Sequence, residues 1–252
     1  MVSATSFEIV LESPGDPDPA PEPLNDTPGQ VPITSDDAPQ SGNVVEGYLK
    51  TVIHSRSGEW SSPVTLIVAH FRFFSSSGSP CLSQFSVEFL PQDRNAFYVK
   101  NIAPKGKISL YPDDDWNRGL FEGSKLSHPS WWEGENSAEW SMVENEVQES
   151  GIPRELTVAM LLERDDDKPF VVDVKVKTTV GRGDNSSEEV NFIGPIHFDP
   201  NGEAIGPDTL PPGTDINNLE NVNLASLCQI GPIDSIETLR ARGYCQCGLR
   251  IL

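Results

Sequence analysis

The feature that most narrows the folds open to this chain is a period-two alternation of apolar and polar residues running through residues 44–197. Within 82–89, Phe85, Val87 and Phe89 alternate with Ser86 and Glu88. In Glu155–Glu163, Leu156, Val158, Met160 and Leu162 share one parity, and in Phe170–Val180, Val172, Val174 and Val176 alternate with Asp173, Lys175 and Lys177. Successive residues of a strand point to opposite sides of a sheet, so this pattern gives each strand one buried face; a helix would scatter the same residues around its axis. Residues 45–54, 64–74, 96–101, 107–111, 138–146 and 190–197 are further strand candidates, and the connectors carry turn formers such as Ser57-Gly58, Pro91-Gln92-Asp93 and Gly151-Ile152-Pro153. About nine short strands separated by such turns predict a mainly β chain, an antiparallel β-sandwich or open barrel. A parallel sheet would need long helical crossovers, and the pattern offers none.

Residues 64–74 depart from simple alternation. Ile67, Ala69, Phe71 and Phe73 form one apolar face, while Val64, Leu66 and Val68 begin a second. That predicts a central strand covered on both sides. His70 and Arg72 end the second face, which implies that it opens there to water or to a groove.

The flanks read differently. Residues 1–43 hold eight of the 22 prolines and eight acids but no Lys or Arg, a composition that cannot bury enough apolar area to offset chain entropy. A disordered arm is expected there, with Phe7-Glu8-Ile9-Val10-Leu11 as the one stretch suited to a strand or a docking motif. Residues 198–252 are expected to wrap the sandwich in extended form, with a short helix or edge contact at 219–227 and a small C-terminal helix at 233–243, capped by Asp234 or Ser235 and ended by Gly243.

The formal net charge is -20, from 38 acids against 18 bases. Such a surface repels phosphate backbones and anionic bilayers, so neither nucleic acid nor membrane insertion is expected, and no run approaches the roughly 20 apolar residues of a spanning helix. The first residues lack a basic stretch followed by a long apolar one, which points to the cytoplasm, where Cys81, Cys228, Cys245 and Cys247 would be thiols. The sequence sets no oligomeric state.

Three groups of residues could carry chemistry. Asp113 and Asp115, with Asp165 and Asp167, fall in loops after strands, where a hard cation such as calcium could collect oxygen ligands; solvated turn acids look the same. No other cofactor is implied. Trp116, Trp131, Trp132 and Trp140 fall close together with Phe121, inside or beside a long connection at 112–137, and could line an apolar ligand pocket with Arg72 or close the end of the core. His70, His54 and His128 are the candidates for general acid or base if the chain is an enzyme.

Several short motifs then stand out: Ile102-Ala103-Pro104-Lys105-Gly106, Trp140 with Glu144-Asn145, Leu161-Leu162, His197-Phe198-Asp199-Pro200, Pro211-Pro212, and Leu219-Glu220-Asn221 with Asn223-Leu224. Over about residues 45–228 they resemble a group of filamentous-fungal β-rich proteins with no established activity. The resemblance implies a fungal source and a place in accessory or secondary metabolism, and it transfers no functional residues. The expected function is a non-catalytic binding module for a small hydrophobic molecule or a protein partner. The alternatives are a cofactor-independent cyclase or isomerase acting on a hydrophobic metabolite, and a calcium-binding sandwich.

Overall fold

A computed structural model describes residues 7–11, 31–32, 43–55, 62–75, 82–93, 96–110, 119–126, 135–144, 152–181 and 186–231. Its strands are β1 (Phe7–Leu11), β2 (Val31–Pro32), β3 (Asn43–Ser55), β4 (Val64–Ser75), β5 (Leu82–Pro91), β6 (Tyr98–Ala103), β7 (Gly106–Leu110), β8 (Gly119–Leu126), β9 (Ser137–Val143), β10 (Glu155–Glu163), β11 (Phe170–Val180), β12 (Ser187–Phe198) and β13 (Gln229–Ile230). Two antiparallel sheets pack face to face as an open sandwich. The first runs β1-β3-β4-β10-β13, with β2 also on β3 and β6 also on β10; the second runs β12-β11-β5-β9-β8-β7.

The alternation read from the sequence is the burial pattern of the strands. β11 alternates buried and half-buried residues along its whole length, and β5 does so over most of its own. The inward side chains of both sheets form one core: Val45, Ile67, Phe71, Val158 and Met160 from the first meet Phe85, Val87, Phe89, Trp140, Val174 and Val176 from the second. Aromatic rings mesh there edge to face, as with Phe73 on Phe85 at 4.7 Å and Phe89 on Trp140 at 6.0 Å between centroids, a geometry rings prefer to flat sandwiching.

One expectation is corrected. The stretch 112–137 was expected to be a connection, yet it contains β8, paired with both β7 and β9. Gly123 explains why the strand is hard to read. A Cβ at this position would lie 2.1 Å from the Pro104 carbonyl oxygen and 2.9 Å from Trp140 Cδ1, so the residue opposite the indole has to lack one.

Strand β10 is buried from Leu156 to Leu162 without a break, because its second face is also covered. The cover is the chain after β12. Its 3-10 turns Leu219–Asn221 and Leu224–Leu227 lay Leu219 and Leu224 on Ile53, Leu66, Val68, Ala159 and Leu161, forming a second, smaller core. Of the wrap expected over 198–252, the part up to residue 231 is described; the helix expected at 233–243 lies outside the described residues.

The free edge of β3 is covered piecemeal. β1 pairs along it from Leu11↔Asn43 to Phe7↔Gly47, β2 follows at Pro32↔Tyr48 and Val31↔Leu49, and Ile205 bridges Val52. The rest of the arm lies outside the described residues.

Candidate functional site

The outer face of the first sheet changes character along β4. After Leu66 and Val68 come His70 and Arg72, and each belongs to a row across three strands: Tyr48, His70 and Thr157, then Glu46, Arg72 and Glu155. His70 is 7% exposed; its Nδ1 lies 2.7 Å from Thr157 Oγ1, and its ring centroid is 4.9 Å from that of Tyr48. Its Nε2 is buried with no hydrogen-bond partner. Burial, reinforced by the Arg72 and Lys50 cations, pushes its pKa down to about 4, so the ring is neutral at physiological pH. Arg72 Nε lies 3.8 Å from Glu155 Oε1, and burial raises the Glu46 pKa against the pull of Arg72.

Beside this row the wrap stands off the sheet and leaves a groove of about 290 Å³. Lys50, Thr51 and Val68 line it from the sheet, and residues 209–212 with Ser226 and Leu227 line it from the wrap. The wrap is anchored here by paired hydrogen bonds between Val52 and Ile205, at 3.0 and 2.9 Å, and by the contact of the Thr51 and Thr209 hydroxyls. Gly206 makes the close approach possible. Its φ is +55°, and a Cβ would lie 2.1 Å from the Lys50 carbonyl oxygen.

His54 lies on the other face of the sheet, near the opposite end of the sandwich. Its Nδ1 is 2.9 Å from Thr65 Oγ1, and its ring meets Phe170 edge-on at 6.3 Å. Burial and the Arg164 cation push its pKa down to about 4. Arg164 is almost wholly buried, and its Nη1 donates to Asp166 O at 2.8 Å and to Asp167 Oδ1 at 3.1 Å. Asp166 accepts from Lys168 N and pairs with its ammonium, so this loop is held by cations of the chain itself. Among the described residues no three His, Cys, Asp or Glu side chains are grouped to hold a metal ion. Asp165 and Asp167 are described; Asp113 and Asp115 lie outside the described residues.

The aromatic candidates divide. Trp140 and Phe121 have no exposed surface; the Trp140 indole N–H donates to Pro104 O at 3.0 Å, and both rings fill the inter-sheet core. Neither offers a face to a ligand. Trp116, Trp131, Trp132 and His128 lie outside the described residues. The structure sets His54 and His70 on different faces of one sheet, and of the described ligand-binding candidates it brings Arg72, and neither Phe121 nor Trp140, to the outer face near His70. The groove residues Lys50, Thr51, Thr209 and Ser226 were not singled out from the sequence. The one available signal was the break in the second face of β4 at His70. Cys228 lies under the wrap, its Sγ donating to Leu224 O at 3.2 Å, and burial pushes its thiol up to about 12.

No family model matches the chain, and no curated protein matches it. Among solved structures, one titled a pore forming protein is 10% identical over 62% of this chain and 87% of its own, with a TM-score of 0.35. The NetB toxin of Clostridium perfringens in its membrane inserted form is 9% identical over 60% and 86%, with a TM-score of 0.29. The Clostridium perfringens delta-toxin is 9% identical over 71% and 93%, with a TM-score of 0.27. At TM-scores this low the likenesses assign neither fold nor function to the chain.

Proposed function

We propose that the protein is a non-catalytic β-sandwich binding module that holds a small hydrophobic molecule in the groove between the first sheet and the wrap. The groove carries this reading. Its volume of about 290 Å³ lies just under the ~300–1,000 Å³ typical of ligand pockets, its walls set Val68, Leu210, Pro211, Pro212 and Leu227 beside the polar Lys50, Thr51, Thr209 and Ser226, with more polar than apolar surface presented, and its two sides come from parts of the chain far apart in sequence. The two described catalytic candidates, His54 and His70, support a binding role over a catalytic one. A ring whose pKa is about 4 is a weak base near neutral pH, and His54 and His70 stand on different faces, so they cannot share a substrate as acid and base.

The test is an amide-resolved NMR titration of the full chain with 1-octanol. Shifts should concentrate at Lys50, Thr51, Leu210, Ser226 and Leu227, and Ser226→Trp, placed at the exposed rim, should abolish them. Shifts confined to other parts of the molecule, or unchanged binding to the Trp variant, would defeat the reading.

A further inference from the structure

The groove has a polarity of its own. Among the described residues most Lys side chains are paired with carboxylates: Lys100 with Glu163 and Glu220, Lys107 with Glu122, Lys175 with Glu88, Lys177 with Glu188. In a chain with 38 acids against 18 bases, such pairing is what a cation ordinarily finds. Lys50 lines the groove without a carboxylate partner among the described residues, although Asp208 is next in sequence to the lining residue Thr209. The hydroxyls around it are already committed as donors. Thr209 Oγ1 donates to Gly206 O at 2.7 Å, Thr51 has its hydroxyl on Thr209 and Gly206, and Ser226 Oγ donates to Asn223 O at 2.7 Å. Their oxygens are left as acceptors, and the Lys50 ammonium is the one side chain of the lining with protons to give.

We infer that the groove takes a small amphiphilic carboxylate: its anion is held by the Lys50 ammonium, and its short apolar body lies against Val68, Leu210 and Leu227. This rests on the groove being the binding site. A charge-assisted hydrogen bond to a carboxylate is worth more than one between neutral groups, so a ligand carrying the anion is favoured over its neutral counterpart of equal length. A hydroxyl or amine elsewhere on the ligand would find its acceptor in Thr209 or Ser226. The overall negative charge of the chain slows the approach of any anion, and the preference therefore shows as a contrast between ligands at fixed ionic strength.

The experiment compares octanoate with 1-octanol at neutral pH by calorimetry and by the same amide shifts, using the full chain and its Lys50→Met and Lys50→Arg variants. Octanoate should bind about tenfold tighter than octanol or better, Lys50→Met should bring it to the level of octanol, and Lys50→Arg should restore it. Equal affinities with shifts at the groove would overturn the carboxylate assignment and leave the binding module standing. Octanoate binding that survives Lys50→Met unchanged would overturn it as well. If neither probe shifts the groove, both readings fall together.

Discussion

The two faces of the first sheet are buried by different means. Its inner face meets a second sheet, and every inward residue of β10 and β4, from Leu156 to Leu162 and from Ile67 to Phe71, finds a packed partner along the strand. Among the described residues its outer face meets one strap of chain, which lays Leu219, Leu224 and their neighbours over Leu66, Val68 and Leu161. A sheet covers a strand for its whole length; a strap covers only its own width. Hence the outer face of β4 passes from aliphatic to His70 and Arg72 within one strand, and the groove forms where the strap lifts away.

Breaking the inner layer should cost most. Trp140→Ala removes a fully buried ring and its bond to Pro104, and should cost about 3–5 kcal/mol, read as a lowered denaturant midpoint for the whole molecule. Next comes acid. Both histidines titrate below their ordinary value of 6.5, so between pH 6.5 and about 4 the unfolded chain binds more protons than the folded one. Stability is therefore full above that window and lost as pH falls through it, by up to about 3 kcal/mol per ring. His54→Gln and His70→Gln should each flatten the pH dependence of the denaturation midpoint; equal flattening would mean that the outer face is as dry at His70 as the inner face is at His54.

Leu224→Ala should cost less, about 2 kcal/mol, because the strap can settle onto the sheet. Its signature is local: faster hydrogen exchange at residues 219–231, with the amides of β5 and β11 unchanged. Uniform acceleration everywhere would show that the two layers fold as one unit. Gly206→Ala, at a positive φ and against Lys50 O, should cost about 1–3 kcal/mol and loosen the Val52–Ile205 bridge in the same local way. The smallest effect is expected of Lys100→Met, below about 1 kcal/mol and weaker still in high salt, since its pairs with Glu163 and Glu220 are solvated.

What the sequence disclosed follows the same division. Strands facing the inter-sheet core keep a strict parity, and β10 and β11 were found with their bounds intact. The covered second face was legible in Val64, Leu66 and Val68. β8 was hidden because its register demands Gly123 under the Trp140 ring, and a glycine carries no parity. β2, two residues long and half proline, had no periodicity to show. The groove was invisible because Lys50, Thr51, Thr209 and Ser226 meet only in three dimensions, whereas His70 announced its edge. For Trp140 the sequence left two readings open, a ligand-pocket wall or core, and its buried ring is core.

The late position of the strap in the chain has a consequence for biosynthesis. Leu66 and Val68 leave the ribosome long before Leu219 and Leu224 do, on the order of ten seconds or more at ~5–20 residues per second. Once β10 has emerged and until the strap follows it, the nascent chain displays an oily stripe across β3, β4 and β10 whose cover, among the described residues, is still inside the ribosome. Chaperone occupancy on translating ribosomes should peak in this interval and fall once the strap clears the exit tunnel.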